Sequence, residues 1–269
     1  MPYTPLQLAE AFMKTGELDD ALAALDDHLA VHPADDAVLR MRAAVLLRLG
    51  TPEHLKRALA DLEHITIPTA DDWVQRSIIL ERQGELTQAV EMMQTALQHQ
   101  PDDERTTERL VQLEIAHGNL EAALDVVRSQ ARNWRWLQWE ADILVMLGND
   151  VLASARYGLV LAQLNELGES DHVRAIGGRV VLARAECYRR MGQTDAARDY
   201  YLAAKAIYPD DPTIDFNLGL LLAAEGNTQA AIDQCRSAYQ RARAALQDEM
   251  RLTLAHEAYQ AIAQGVMGL

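Results

Sequence analysis

The stretch Lys14–Leu22, KTGELDDAL, returns four times in altered form: RQGELTQAV at 82–90, AHGNLEAAL at 116–124, RMGQTDAAR at 190–198 and AEGNTQAAI at 224–232. A phrase that recurs at a fixed period marks a repeat architecture, so its spacing decides the fold. The glycines Gly16, Gly50, Gly84, Gly118, Gly148, Gly192 and Gly226 are separated by steps of 34, 34, 34, 30, 44 and 34 residues. In six of these seven units an alanine follows five residues later, as Ala21, Ala89, Ala123, Ala153, Ala197 and Ala231; in the second unit Ala58 comes three residues late. Pro33, Pro101 and Pro209 stand seventeen residues after their glycines.

Each mark has a mechanical reading. Glycine ends a helix by taking the left-handed backbone conformation, and alanine lets two helices approach closely. Proline stops a second helix, and the aspartates after it, in HPADDAV, QPDDERT and YPDDPTI, suit the cap and the positive end of the next one. Runs such as ALAALDDHLAV and DDWVQRSIILERQ carry apolar residues three and four apart, the spacing of amphipathic helices. No alternating strand pattern of useful length is present. The expected fold is all-α, a chain of helical hairpins.

Composition narrows the function. A 49% hydrophobic chain of 269 residues has ample material for a core, while a formal charge of -15 opposes general binding to nucleic acid or anionic lipid. Cys187 and Cys235 stand apart without CxxC spacing, and the start MPYTPLQLAEAF carries neither a basic leader nor a long apolar run. These features lead to the expectation of a reduced, cytoplasmic protein without membrane insertion.

The Gly, Ala and Pro slots at a 34-residue period resemble the tetratricopeptide repeat family. The resemblance covers residues 2–243 as about seven repeats, and 244–269 is similar to the capping helix that shields the last repeat of such arrays. It implies a right-handed superhelical solenoid whose first helices line a concave groove. Four positions depart from the pattern: Arg42, Arg76, Glu140 and Arg184 occupy a slot, eight before the glycine, that the family fills with an apolar residue. The fourth unit is short and lacks its proline, and the step after Gly148 is long, so regularity is expected to fail near 131–135 and 163–178, with a turn near Gly168–Ser170.

The family register also proposes a site. Trp134 and Trp136 are expected to pack, whereas Trp139, nine before Gly148, falls in a groove-facing slot shared with Gln75 and Arg109. Arg40, Gln75, Arg105 and Arg109 resemble, incompletely, the carboxylate clamp of chaperone-binding repeat domains: Ala44 replaces an asparagine, and arginine replaces lysine at Arg40 and Arg105. Arg135 and Arg179 recur in the slot of Arg105, giving an arginine-dotted groove suited to carboxylates. The other reading is that these arginines balance the many helix-start aspartates.

Catalytic signals are weak. IGGRV at 176–180 is too short for a phosphate loop, and HEAYQ at His256 has Gln260 where a zinc helix needs a second histidine. The expectation is a non-enzymatic adaptor, without cofactor or metal, that binds a protein or peptide partner in its groove, an acidic or C-terminal segment fitting best. The alternative is a scaffold that self-assembles into homo-oligomers.

Overall fold

The computed structural model describes residues 4–167, 171–255 and 259–267, and of 171–179 the backbone alone. The expected turn at Gly168–Ser170, the Arg179 side chain and His256 lie outside the described residues. Sixteen helices and no strand are found among those described.

Contacts divide the chain into two compact units, Met1–Val126 and Val127–Leu269. The first holds the hairpins α1 (Pro5–Thr15) with α2 (Leu18–Val31), α3 (Asp36–Leu49) with α4 (Pro52–Glu63), and α5 (Ala70–Gln83) with α6 (Leu86–His99). After α7 (Glu104–Ala116) the boundary falls inside α8 (Leu120–Arg128). The second unit holds α9 (Trp134–Met146) with α10 (Asp150–Glu166), α11 (Asp171–Arg190) with α12 (Thr194–Ile207), and α13 (Pro212–Ala224) with α14 (Thr228–Arg241). It ends in α15 (Ala244–Leu254) and α16 (Gln260–Met267).

The repeated marks act as their chemistry requires. All seven turn glycines have φ between 69° and 86°, where a Cβ would be strained. The alanines after them, Ala58 included, are buried at 0–1% exposure; three residues late is one helical turn further along the same face. Asp35, Asp103 and Asp211 accept hydrogen bonds from backbone N–H groups of α3, α7 and α13. The Thr106 hydroxyl, helped by two of those N–H groups, holds the Asp103 carboxyl below its ordinary pKa.

The four charged departures share one physical role, because each is tied to the second helix of the preceding hairpin. Arg76 and Arg184 donate to the carbonyls of Leu62 and Leu164, near the C-termini of α4 and α10, where unpaired carbonyls and the helix dipole favour a cation. Arg76 also lies over the Trp73 ring, 4.3 Å from its centroid. Arg42 reaches Asp26 of α2 and Asp61 of its own partner helix α4, both at 2.6 Å. Glu140 reverses the charges: it accepts from Arg128 of α8 at 3.0 Å and sits 2.8 Å from Arg156 of α10. Asp26 and Arg128 are both five after their repeat alanine, and Asp61 and Arg156 both three after theirs, so the two triads occupy identical slots with opposite sign.

Helix lengths record the irregular steps. α8 has nine residues against fourteen in α2, α6, α12 and α14, and the long step is taken up by α10 and α11, with 17 and 20. Where one capping helix is expected over 244–269, two are found. Met250 and Leu254 of α15 and Ile262 and Val266 of α16 each bring a one-turn pair to the cluster around Phe216, Leu220 and Cys235, covering the apolar side of the last hairpin.

Candidate partner-binding groove

In the second unit the first helices form a hollow of about 350 Å³. Its wall takes Trp134 and Gln138 from α9, Leu182, Ala183 and Glu186 from α11, and Thr213 and Asn217 from α13, with the Tyr201 ring behind them. Residues four apart share a helical face, so Trp134, Gln138 and Asp142 make one stripe along α9. Asn133 starts that stripe by capping α9, its side chain accepting from the N–H groups of Arg135 and Trp136 at 3.1 Å.

A paired device ties first helix to second in two successive hairpins, and one of the two pairs, Tyr201 with Glu186, lines the hollow. The Tyr157 hydroxyl donates to Asp142 at 2.5 Å, and the Tyr201 hydroxyl to Glu186 at 2.7 Å. Both acids stand six before their glycine, and both tyrosines four after their alanine. Burial pushes Asp142 above its ordinary pKa, the Tyr157 bond only partly offsetting it. Glu186 goes the other way: burial alone would raise it, but Arg189 and Arg190 overcome that and hold it at about 2. Arg189 bonds both Glu186 oxygens, at 3.0 and 2.5 Å, and Arg190 Nε adds a third bond at 2.8 Å. A carboxylate saturated in this way is a structural anion, unsuited to proton transfer. Among the described residues no three His, Cys, Asp or Glu side chains converge as a metal site.

The proposed site residues fall in different surroundings. Arg40 forms a two-pronged pair with buried Asp72, at 2.9 and 3.0 Å, and donates to the Ile67 carbonyl at 2.9 Å. Asp72 is filled by the Thr69 N–H and hydroxyl as well, so this arginine joins α3 to α5. Arg109 pairs with Glu81 of α5 and contacts Gln112. Arg105 is exposed one turn earlier on α7, and Gln75 is half-buried on α5. Arg135 is exposed in the first turn of α9.

Trp136 is packing, at 4% exposure. Trp139 is half-buried and absent from the hollow's lining, whereas Trp134, expected to pack, contributes to it. One residue is a rotation of about 100° on a helix, which separates Trp139 from the Gln138 stripe. The tyrosine–carboxylate slots escaped the sequence reading, although a tyrosine four after the alanine together with an acid six before the glycine was a usable signal.

Comparison with known proteins gives the class. Tetratricopeptide repeat profiles match residues 6–53 and 75–135, and, with a second profile, 178–221, together more than half of the chain. The chain belongs to the tetratricopeptide repeat family, whose members generally mediate protein–protein interactions and are usually non-catalytic. Among curated proteins none matches. A tetratricopeptide repeat protein from Parabacteroides merdae is similar in structure, with a TM-score of 0.64 at 15% identity, covering 98% of this chain and 97% of that one. The C-terminal part of a repeat protein from Cytophaga hutchinsonii aligns at 0.56 and 14% identity over 95% and 98%. A chain of the APC/C hetero-tetramer Cut9–Hcn1 aligns at 0.52 and 15% identity over 93% of this chain and 48% of that one. At such identities the likeness is one of fold. No helix among the described residues is long and apolar enough to cross a membrane.

Proposed function

We propose that this protein is a non-enzymatic adaptor that holds an extended segment of a partner protein against its first helices. The observation that carries the reading is the hollow in the second unit, where three successive first helices bring one large ring, an aliphatic wall and two side-chain amides to one strip. An extended segment needs that combination: its backbone takes hydrogen bonds from Gln138 and Asn217, and an apolar side chain lies against Trp134 and Leu182. A hetero-complex among the structural neighbours is consistent with this use of the fold. An acidic or C-terminal segment is the finer reading, with exposed Arg105 supplying charge and Arg109 and Gln75 polar groups in the first unit, and Arg135 supplying charge in the second.

A peptide array carrying acidic and neutral extended segments tests both levels. Gln138→Ala with Asn217→Ala should erase the bound spots, and Arg105→Glu should erase the acidic subset, which should also fade as salt rises. Arrays unchanged by the Gln138/Asn217 pair would reject the groove. Loss of the acidic subset in neither Arg105→Glu nor high salt would reject the acidic ligand alone.

A further inference from the structure

The short helix α8 leaves a cavity of about 250 Å³ beside it, distinct from the groove. In α2, α6 and α10 the slot eight after the repeat alanine holds a leucine, as with Leu29 of α2, 6% exposed, and in α12 and α14 it holds the long side chains of Lys205 and Tyr239. In the fourth unit that slot is Ala131, past the end of α8 and exposed, so neither helix nor leucine is there. The floor is Trp136 and Leu137, each 4% exposed. Around it stand three guanidinium groups, Arg128, Arg132 and Arg156, against the single carboxylate of Glu140.

We propose that this cavity binds an oxyanionic group, a carboxylate or a phosphate. Glu140 is paired through the Nε edge of Arg128 and faces the Nε of Arg156, and these contacts do not use the Nη ends of the two arginines, which line the same cavity. One carboxylate among three arginines leaves two positive charges in a partly enclosed space, in a protein whose formal charge is -15. Guanidinium forks on an apolar floor recognise planar or tetrahedral oxyanions by charge-assisted hydrogen bonds. The opposite triad, Asp26–Arg42–Asp61, occupies the same slots with the wrong sign for an anion, so the property belongs to this junction alone of the two.

Isothermal titration with inorganic phosphate and with succinate, at ionic strength held constant by chloride, tests the site and separates its two ligand chemistries. At least one anion should bind saturably, Arg132→Ala should weaken it about tenfold, and Glu140→Gln, which removes the competing carboxylate, should strengthen it by a similar factor. Circular dichroism checks that both variants remain folded, and Gln138→Ala, a groove change, should leave the titration unaltered. Phosphate binding tighter than succinate assigns a phosphate site, and the reverse a carboxylate site. Absence of saturable binding by either anion, or equal binding by the parent and the folded Arg132→Ala protein, would overturn the proposal.

Discussion

The two oppositely charged triads allow a test in which one half of the molecule predicts the other. Arg42 has 18% of its side chain exposed, and its partners Asp61 and Asp26 have 7% and 37%. Removing one member of a buried pair leaves the other uncompensated and costs about 3–5 kcal/mol. The partial exposure of Asp26 places Arg42→Glu near the lower end, about 3 kcal/mol, since water screens that arm. The full exchange, Asp26→Arg with Arg42→Glu and Asp61→Arg, recreates the arrangement of Arg128, Glu140 and Arg156. Arg57, which reaches Asp26 at 3.0 Å, is changed to leucine in the same protein, because Leu152 holds that slot in the second unit. Stability is read from urea unfolding followed by circular dichroism, with hydrogen exchange to assign the loss to the first unit. The exchanged protein should recover to within about 1 kcal/mol of the parent, far above the sum of its single changes. If Arg42→Glu costs less than about 0.5 kcal/mol, or the full exchange is no better than the single change, the triads do not join their helices as argued.

Other outcomes follow from individual contacts. Gly219→Ala should cost about 1–3 kcal/mol in urea unfolding, because its Cβ would lie 2.5 Å from the Cys235 sulfur and 3.2 Å from its backbone nitrogen. Trp136→Ala should cost about 3–5 kcal/mol and Trp134→Ala clearly less, so equal losses would contradict the surface role of Trp134. Burial pushes the thiols of Cys187 and Cys235 up to about 12, so a thiol reagent at pH 8 should label both only at the rate of unfolding. Asp72, Glu140 and Asp215 are held below the usual carboxylate range: burial would raise each, and Arg40, then Arg128 with Arg156, then Lys205 with Arg241, outweigh it. A depressed folded-state pKa contributes stability that is present above the unfolded value and lost as pH falls through the folded one. Urea midpoints should therefore drop below about pH 4, and the drop should shrink in Glu140→Gln.

The hairpins were legible because their signals are local: a glycine with positive φ, an alanine at a close approach and an aspartate at a cap each act within a few residues. The charged slot eight before the glycine was legible as a departure but not as a device, since Asp26 and Asp61 lie 16 and 19 residues from Arg42 and become its partners only when the α3–α4 hairpin closes and stacks on α2. The tryptophans show the limit of register. Trp139 and Gln138 differ by one position, and the family slot alone did not settle which of the two stripes of α9 faces the hollow. The tail is expected as one helix from its likeness to a family capping helix, and that likeness does not distinguish one helix from the two, α15 and α16, that cover the last hairpin. The cavity beside α8 was visible only as a four-residue shortfall, and its charge became apparent once Arg128 and Arg156 met at Glu140.

The adaptor reading is tested most directly by site-specific photo-crosslinking in the cell of origin, with a benzophenone amino acid placed at Gln138 or Asn217 and, as controls, at Leu159 or Leu202. The first two stand on first helices at the hollow, and the controls are exposed on second helices, at 44% and 51%. The account predicts one discrete crosslinked protein from Gln138 and Asn217, competed by an excess of the uncrosslinked parent and absent from Leu159 and Leu202. Crosslinks that form equally from the second-helix positions, or only from them, would contradict it.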